Sequence, residues 1–221
     1  MESYLKIQRQ TRQEEPTEMS TKKTLHSGFA KSALVNTTTV VATSNEDGSP
    51  NMATIAWCMP CNASPVYIAI AVSNGHLTNE NIKRSKVFSV NVGNLEQMKA
   101  VNAVGIVSGR KDPGKNIAFK TVNGANGAPI VAELPINMEC KLVNHITNPT
   151  NTVFIGEVTL LSVDDDKVAG PNIDITRINP LLFTFGKVDG QGSAYAQLGP
   201  VVGVPWAQDP AEKLAERQAK E

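Results

Sequence analysis

Unusual chemistry is concentrated in one stretch of the chain, Asn51-Met52-Ala53-Thr54-Ile55-Ala56-Trp57-Cys58-Met59-Pro60-Cys61. In an extended strand alternate side chains share a face, which puts Asn51, Ala53, Ile55 and Trp57 on one side and Met52, Thr54 and Ala56 on the other. An amide, a small residue and an indole on one side can line a flat heterocycle. The same residues also read as core, with Ile55 and Trp57 packed inward and Asn51 ending a turn. Cys58 and Cys61 stand at the Cys-x-x-Cys spacing of zinc ribbons and redox dithiols, with Cys140 as the one further cysteine. No second pair of ligands accompanies them, so no metal site is expected. Pro60 and the following Asn-Ala-Ser-Pro read as a loop, not as the helix start of a thioredoxin-type dithiol. The expectation is two buried, unpaired thiols.

Hydroxyls and cations recur at turns that can hold a phosphate: Thr54, Thr78 at a helix start, and Lys115 in Ser-Gly-Arg-Lys-Asp-Pro-Gly-Lys. A phosphate dianion needs several convergent donors, and a helix N-terminus adds a favourable dipole. Thr78 reads equally as a plain N-cap and Lys115 as a solvated loop lysine. Other chemistries lack their residues. There is no Walker loop, Gly-x-Gly-x-x-Gly fingerprint, His-Glu-x-x-His helix or Gly-x-Ser-x-Gly elbow, and His26, His76 and His145 are widely spread. No catalytic acid, base or nucleophile is named.

The elements that must position these residues are mostly short β-branched runs separated by turn chemistry. Thr37 to Thr43, the turn Asn45 to Pro50 with its Asp-Gly pair, and Asn51 to Trp57 form a hairpin. Further strands are expected at Val66 to Ser73, Val87 to Val92, Ile136 to Val143, Thr152 to Val163, Leu181 to Phe185 and Ser193 to Gln197. Short helices are expected at Thr78 to Arg84, opened by a capping hydroxyl, and at Leu95 to Ala103. Strands adjacent in sequence with little helix between them favour an antiparallel barrel or sandwich. Residues 1–24 read as a polar N-terminal arm, 25–208 as the main domain, and 209–221 as a terminal helix capped by Asp209 with Pro210 at its first position.

Composition narrows the function classes. The 221 residues are 41% hydrophobic, and 21 Lys+Arg balance 21 Asp+Glu, so no cationic excess points to nucleic acid or an anionic membrane. The longest apolar run, Val66 to Val72, falls short of the roughly 20 residues of a membrane helix. A charged beginning without an apolar leader and an odd number of cysteines set a cytoplasmic location as the expectation.

Read in order, the pieces resemble the flavin reductase-like family with an FMN-binding split barrel, and within it the flavoredoxin-like branch. The matching residues run from Val40-Val41-Ala42-Thr43 through Asp47-Gly48-Ser49-Pro50-Asn51-Met52-Ala53-Thr54 to Trp57-Cys58-Met59-Pro60. They continue with Gly75-His76-Leu77-Thr78-Asn79-Glu80-Asn81-Ile82, Phe88-Ser89-Val90-Asn91-Val92, Gly105-Ile106-Val107-Ser108-Gly109, Phe154-Ile155-Gly156-Glu157-Val158 and Pro180-Leu181-Leu182-Phe183. The resemblance implies a mainly β, six-stranded antiparallel Greek-key split barrel with a few short helices, holding FMN near a homodimer interface. It places Asn51 and Trp57 at the isoalloxazine or ribityl region, with the backbone of Ala53 to Ile55 nearby. Thr54, Thr78 and Lys115 serve the phosphate, Phe185 or in its place Phe183 closes over the ring, and Cys58 lies near the flavin. Thr150-Asn151 stands where relatives often carry Asp-His, so this chain offers an amide without a positive charge. The function implied is an FMN-binding redox protein that reduces flavin with NADH or NADPH or relays electrons to a protein partner. The alternative is a non-catalytic flavin carrier or sensor.

Overall fold

A computed structural model describes residues 22–112, 118–188 and 192–219. The chain divides into two compact units, Met1–Lys31 and Ser32–Glu221. In the first, the Phe29 N–H donates to the His26 carbonyl at 3.0 Å, where a short 3₁₀ helix, Ser27–Ala33, begins.

The second unit is built on strands. In chain order they are β1 (Val35–Thr37), β2 (Thr39–Ser44), β3 (Pro50–Ile55), β4 (Cys58–Ala63), β5 (Val66–Ser73), β6 (Val87–Val92) and β7 (Thr121–Asn123). They continue with β8 (Pro129–Val131), β9 (Ile136–Thr147), β10 (Asn151–Val163), β11 (Val168–Ala169), β12 (Asn172–Ile173), β13 (Leu182–Thr184) and β14 (Ala194–Ala196). Seven of them form one antiparallel sheet in the order β3-β2-β6-β9-β10-β5-β4. The expected barrel of six strands is therefore a sheet of seven. The added strand is β4, in the stretch that Pro60 and Asn-Ala-Ser-Pro marked as a loop. It is an edge strand whose residues beyond Cys58 are exposed, and edge positions tolerate proline because they owe no ladder hydrogen bond on the free side.

The sheet curls around its own core. Val41 of β2, Ala53 and Ile55 of β3, Ile68, Ile70 and Val72 of β5, Phe88 and Val90 of β6, Cys140 of β9 and Phe154 of β10 pack in one buried cluster. β3 lies at one edge of the sheet and β5 next to the other, so strands far apart in the ladder meet across the interior. The alternate residues Val40, Ala42 and Met52 face outward into a second cluster with Val101 and Val104. These two belong to helix α2 (Met98–Ile106), the counterpart of the helix expected at Leu95 to Ala103. β2 is thus buried on both faces, which its unbroken apolar run requires.

Helix α1 (Leu77–Ser85) connects β5 to β6 and packs on β2 and β3. Its N-cap is His76, without a side-chain cap, so the Thr78 hydroxyl stands in the first turn and not at the cap. β1, β13 and β14 form a separate three-stranded sheet. The hairpins β7–β8 and β11–β12 and the one-turn helix α3 (Ile175–Ile178) complete the unit with α4 (Pro210–Gln218), which has Asp209 as its N-cap. Among the described residues no helix is long and apolar enough to cross a membrane.

Candidate functional site

Strand β3 ends at Ile55, and Ala56 and Trp57 carry the chain across to β4. Trp57 stays tied to β5, its carbonyl accepting from the Ala71 N–H at 2.9 Å, while its side chain is 39% exposed, with its ring centroid 5.7 Å from that of Phe185. Phe185 meets Phe183 edge-on at 4.8 Å, and Phe183 meets Tyr195, its directly paired residue on β14, at 5.8 Å. All four rings line a cavity of about 330 Å³. Its other side is α2, where Asn102 Oδ1 accepts the Tyr195 hydroxyl at 3.1 Å. Burial raises the Tyr195 pKa, so that hydroxyl keeps its proton. Thr38 also lines the cavity. Its backbone is held on both sides, donating to the Leu181 carbonyl at 2.7 Å and accepting from the Gly93 N–H at 3.1 Å. Its buried Oγ1 has no hydrogen-bond partner among the described residues.

A second cavity of about 100 Å³ adjoins the first, sharing Thr54, His76, Gly105 and Ile106 with it. It lies between the start of α1, Asn51 and Ala53 of β3, and the backbone of Val107 to Gly109. Two glycines permit this close approach. A Cβ on Gly105 would stand 2.9 Å from Thr54 Cβ, and one on Gly109 would collide with Asn51 Oδ1. The Thr54 hydroxyl donates to the Val101 carbonyl, fixing β3 to α2. Asn51 is 1% exposed and donates from Nδ2 to Thr78 Oγ1 at 2.9 Å and to Thr43 Oγ1 at 3.3 Å. No side chain caps α1, so the positive end of its dipole faces the second cavity, while the Asn79 N–H is met by the His76 carbonyl at 3.0 Å.

The residues singled out from the sequence distribute between these cavities. Asn51, Ala53, Thr54 and Thr78 line the second, while Thr54, Ile55, Trp57 and Phe185 line the first. Lys115 lies outside the described residues. Cys58 lines neither cavity, and its side chain packs against the core cluster. The reason is that Trp57 and Cys58 straddle the β3–β4 crossing, and β4 turns its first residue inward. Burial pushes the Cys58 thiol up to about 12, and Cys140 likewise. Cys61 is exposed, contrary to the expected pair of buried thiols, so the two members of the Cys-x-x-Cys spacing occupy unlike environments. Trp57 is not core, whereas Ile55 is.

The chain matches the family model of the flavin reductase like domain over residues 32–191. It belongs to the flavin reductase-like family. A relative from Archaeoglobus fulgidus is 29% identical over 111 residues, or 49% of this chain. The chain spans about three-fifths of the length of that curated relative, the match covering 63% of it. Among solved structures it is similar in fold to flavoredoxin from Methanosarcina acetivorans (TM-score 0.73, 23% identity, 87% of this chain and 97% of that one). It is also similar to a split-barrel protein from Shewanella frigidimarina (TM-score 0.71, 20% identity, 83% and 94%) and to the FMN-binding protein of Thermus thermophilus (TM-score 0.68, 19% identity, 86% and 100%).

In this flavin reductase-like chain several cavity residues escaped the sequence reading: Thr38, Asn102 and Tyr195 were not singled out, His76 was read only as one of three scattered histidines and as part of the resemblance, and Asn151 entered through the resemblance alone. Tyr195 and Asn102 are separated by ninety-odd positions and meet only through the β13–β14 pairing. The one sequence signal for Asn151 was that Thr150-Asn151 stands where relatives often carry Asp-His; in the fold it opens β10, paired with Ser73 at the end of β5. Its Oδ1 accepts the Thr150 hydroxyl at 2.8 Å.

Proposed function

We propose that the chain binds FMN and exchanges electrons through it, taking them from NADH or NADPH or from a redox protein. The observation that carries this reading is the junction of two unlike cavities. One is walled by aromatic rings and the other is small, polar and set at an uncapped helix start, as the ring and the phosphate of one ligand require. The buried, unpartnered Thr38 hydroxyl fits a ligand with polar groups along a flat edge, since such a group is costly without a partner. Similar folds named flavoredoxin and FMN-binding protein support the choice of ligand.

FMN, when bound, supplies the electron-accepting ring. Trp57 and Phe185 shield an apolar face and exclude water from it. Thr54, with Ala53 and Ile55 beside it, lines the join between the two cavities. Thr78 and the start of α1 hold the phosphate, and Asn51 orients Thr78. Lys115 is assigned to the phosphate by the family resemblance alone. Exposed apolar side chains on β9 and β10, including Val143, Ile146, Leu160 and Leu161, support a homodimer, and three free thiols suit a cytoplasmic setting.

The test is an anaerobic absorbance titration of the FMN-saturated chain with NADH and then NADPH. Bleaching of the flavin bands by either identifies a nicotinamide-dependent reductase. Bound flavin that stays oxidised with both directs the reading to a protein donor or to a carrier. A chain that retains no flavin overturns it.

A further inference from the structure

Five polar side chains run in one hydrogen-bonded line from the surface to the second cavity. Arg84 Nη2 donates to Asn81 Oδ1 at 3.4 Å and also to the Ser44 carbonyl. With its oxygen facing a cation, Asn81 turns Nδ2 toward Thr43 Oγ1 at 3.2 Å and Asn45 Oδ1 at 2.9 Å. Thr43 Oγ1 accepts from Asn81 and from Asn51 Nδ2, and donates to the Asn51 carbonyl at 3.5 Å. Both lone pairs and the proton of that hydroxyl are then in use. Asn51 can present only nitrogen to it, and the second N–H of the same amide reaches Thr78 Oγ1 at 2.9 Å. A hydroxyl that accepts in this way has its own proton left to give. Thr43, Asn51, Thr78 and Asn81 are all at most 2% exposed, so water does not compete for these bonds.

We infer that this line fixes Thr78 as a donor into the second cavity, and that Thr43 and Asn81 are positioning residues that select a phosphorylated flavin over riboflavin. The inference rests on the FMN reading above. A phosphate oxygen only accepts, so a Thr78 hydroxyl turned the other way would meet it lone pair to lone pair. Riboflavin places no phosphate there and is indifferent to the direction.

The test is fluorescence titration of the full chain with FMN and, separately, with riboflavin. The wild type, Thr43→Val, Thr43→Ser, Thr78→Val and the double Thr43→Val/Thr78→Val variant are compared. Thr43→Val weakens FMN binding about tenfold, the scale of one hydrogen bond to a charged group, and leaves riboflavin binding unchanged. Thr43→Ser restores FMN affinity. In the Thr78→Val background Thr43→Val adds no further loss, because its effect passes through Thr78. Equal losses for both ligands, no loss for FMN, or a full additional loss in the double variant each overturn the inference. If Thr43→Val does not fold, Asn81→Leu reads the same line from its other end, with the same outcomes deciding. A wild type that binds FMN and riboflavin equally overturns the selection while the flavin reading stands, and one that binds neither overturns both.

Discussion

The two cavities share a wall and are built by opposite means. The larger is made of side chains from distant parts of the chain: Trp57 beyond β3, Asn102 on α2, Phe183 and Phe185 at β13, and Tyr195 on β14. Four rings in contact and one cross-element hydrogen bond give it shape. The smaller is made of backbone and short polar groups between Asn51 and Gly109, and two glycines bring its walls together. Apolar area sets the first and donor direction sets the second. A ligand that spans both is therefore held by two contributions that substitutions can separate, with riboflavin reporting on the first alone.

The largest effect is expected at Gly109→Ala. Its Cβ would collide with Asn51 Oδ1, and Asn51 cannot swing away without breaking its bonds to Thr43 and Thr78. The alternative is withdrawal of the Val107–Gly109 backbone, whose continuation is tied to α1 by the Arg110–Glu80 ion pair. Either response opens the smaller cavity. Isothermal titration should show FMN affinity falling on the order of 100-fold, as expected for two charge-assisted hydrogen bonds, with riboflavin affinity retained. Parallel losses for both ligands would mean that the cavities are not separable.

Trp57→Ala is the converse and ranks next. Removing one ring from the aromatic wall should weaken FMN and riboflavin alike, by about tenfold, the scale of one aromatic contact with its buried area. Trp57 is 39% exposed and outside the core, so the thermal midpoint of the flavin-free chain should hardly move. A loss confined to FMN would place the indole at the phosphate end and reverse the assignment of the two cavities.

The same contrast explains what was legible in the sequence. The smaller cavity is local: Asn51, Thr54 and Thr78 lie on the β2–β3 hairpin and the next helix, and alternation and helix-start chemistry are readable at that range. Strands β5 and β6 carry the bounds their β-branched runs suggest. Strand β4 was missed because exposure on nearly every residue leaves no alternation to read, and its pairing with β5 is a tertiary fact. The larger cavity was half legible. Trp57 stood out through strand alternation with Asn51, and Phe185 entered through the family resemblance, but Thr38 and Asn102 are ordinary residues whose role comes from what surrounds them. Nothing in Thr37-Thr38-Thr39 distinguishes the hydroxyl that lacks a partner from the one on Thr39, which donates to the Ile55 carbonyl at 2.8 Å.

Tyr195→Phe probes the larger cavity more gently. The ring and its contact with Phe183 survive, and only the bond to Asn102 Oδ1 is lost. The pair is partly exposed, so affinity for both flavins should fall by about threefold, the value of one neutral hydrogen bond. A drop of that size for riboflavin and FMN together, measured by fluorescence titration, confirms that α2 and β14 hold the ring end jointly. A selective drop for FMN would extend the smaller cavity to α2.

The smallest expected effect on the ligand is none at all, and it concerns the thiols at the boundary. Cys58 follows Trp57 in sequence yet faces the core, and Cys61 is exposed. Iodoacetamide at pH 8, followed by peptide mass mapping, should modify Cys61 and spare Cys58 and Cys140, with FMN retention unchanged. Burial raises both inner thiols from 9.0 to about 12, so the folded chain keeps protons that the unfolded chain begins to lose near pH 9. Their contribution to stability is complete below that pH and falls as pH rises toward 12, lowering the thermal midpoint through that window. Labelling of Cys58 in the folded chain at pH 8, or release of flavin when Cys61 is alkylated, would bring a thiol to the cavity wall. The division between an aromatic and a polar cavity would then have to admit a third, redox-active edge.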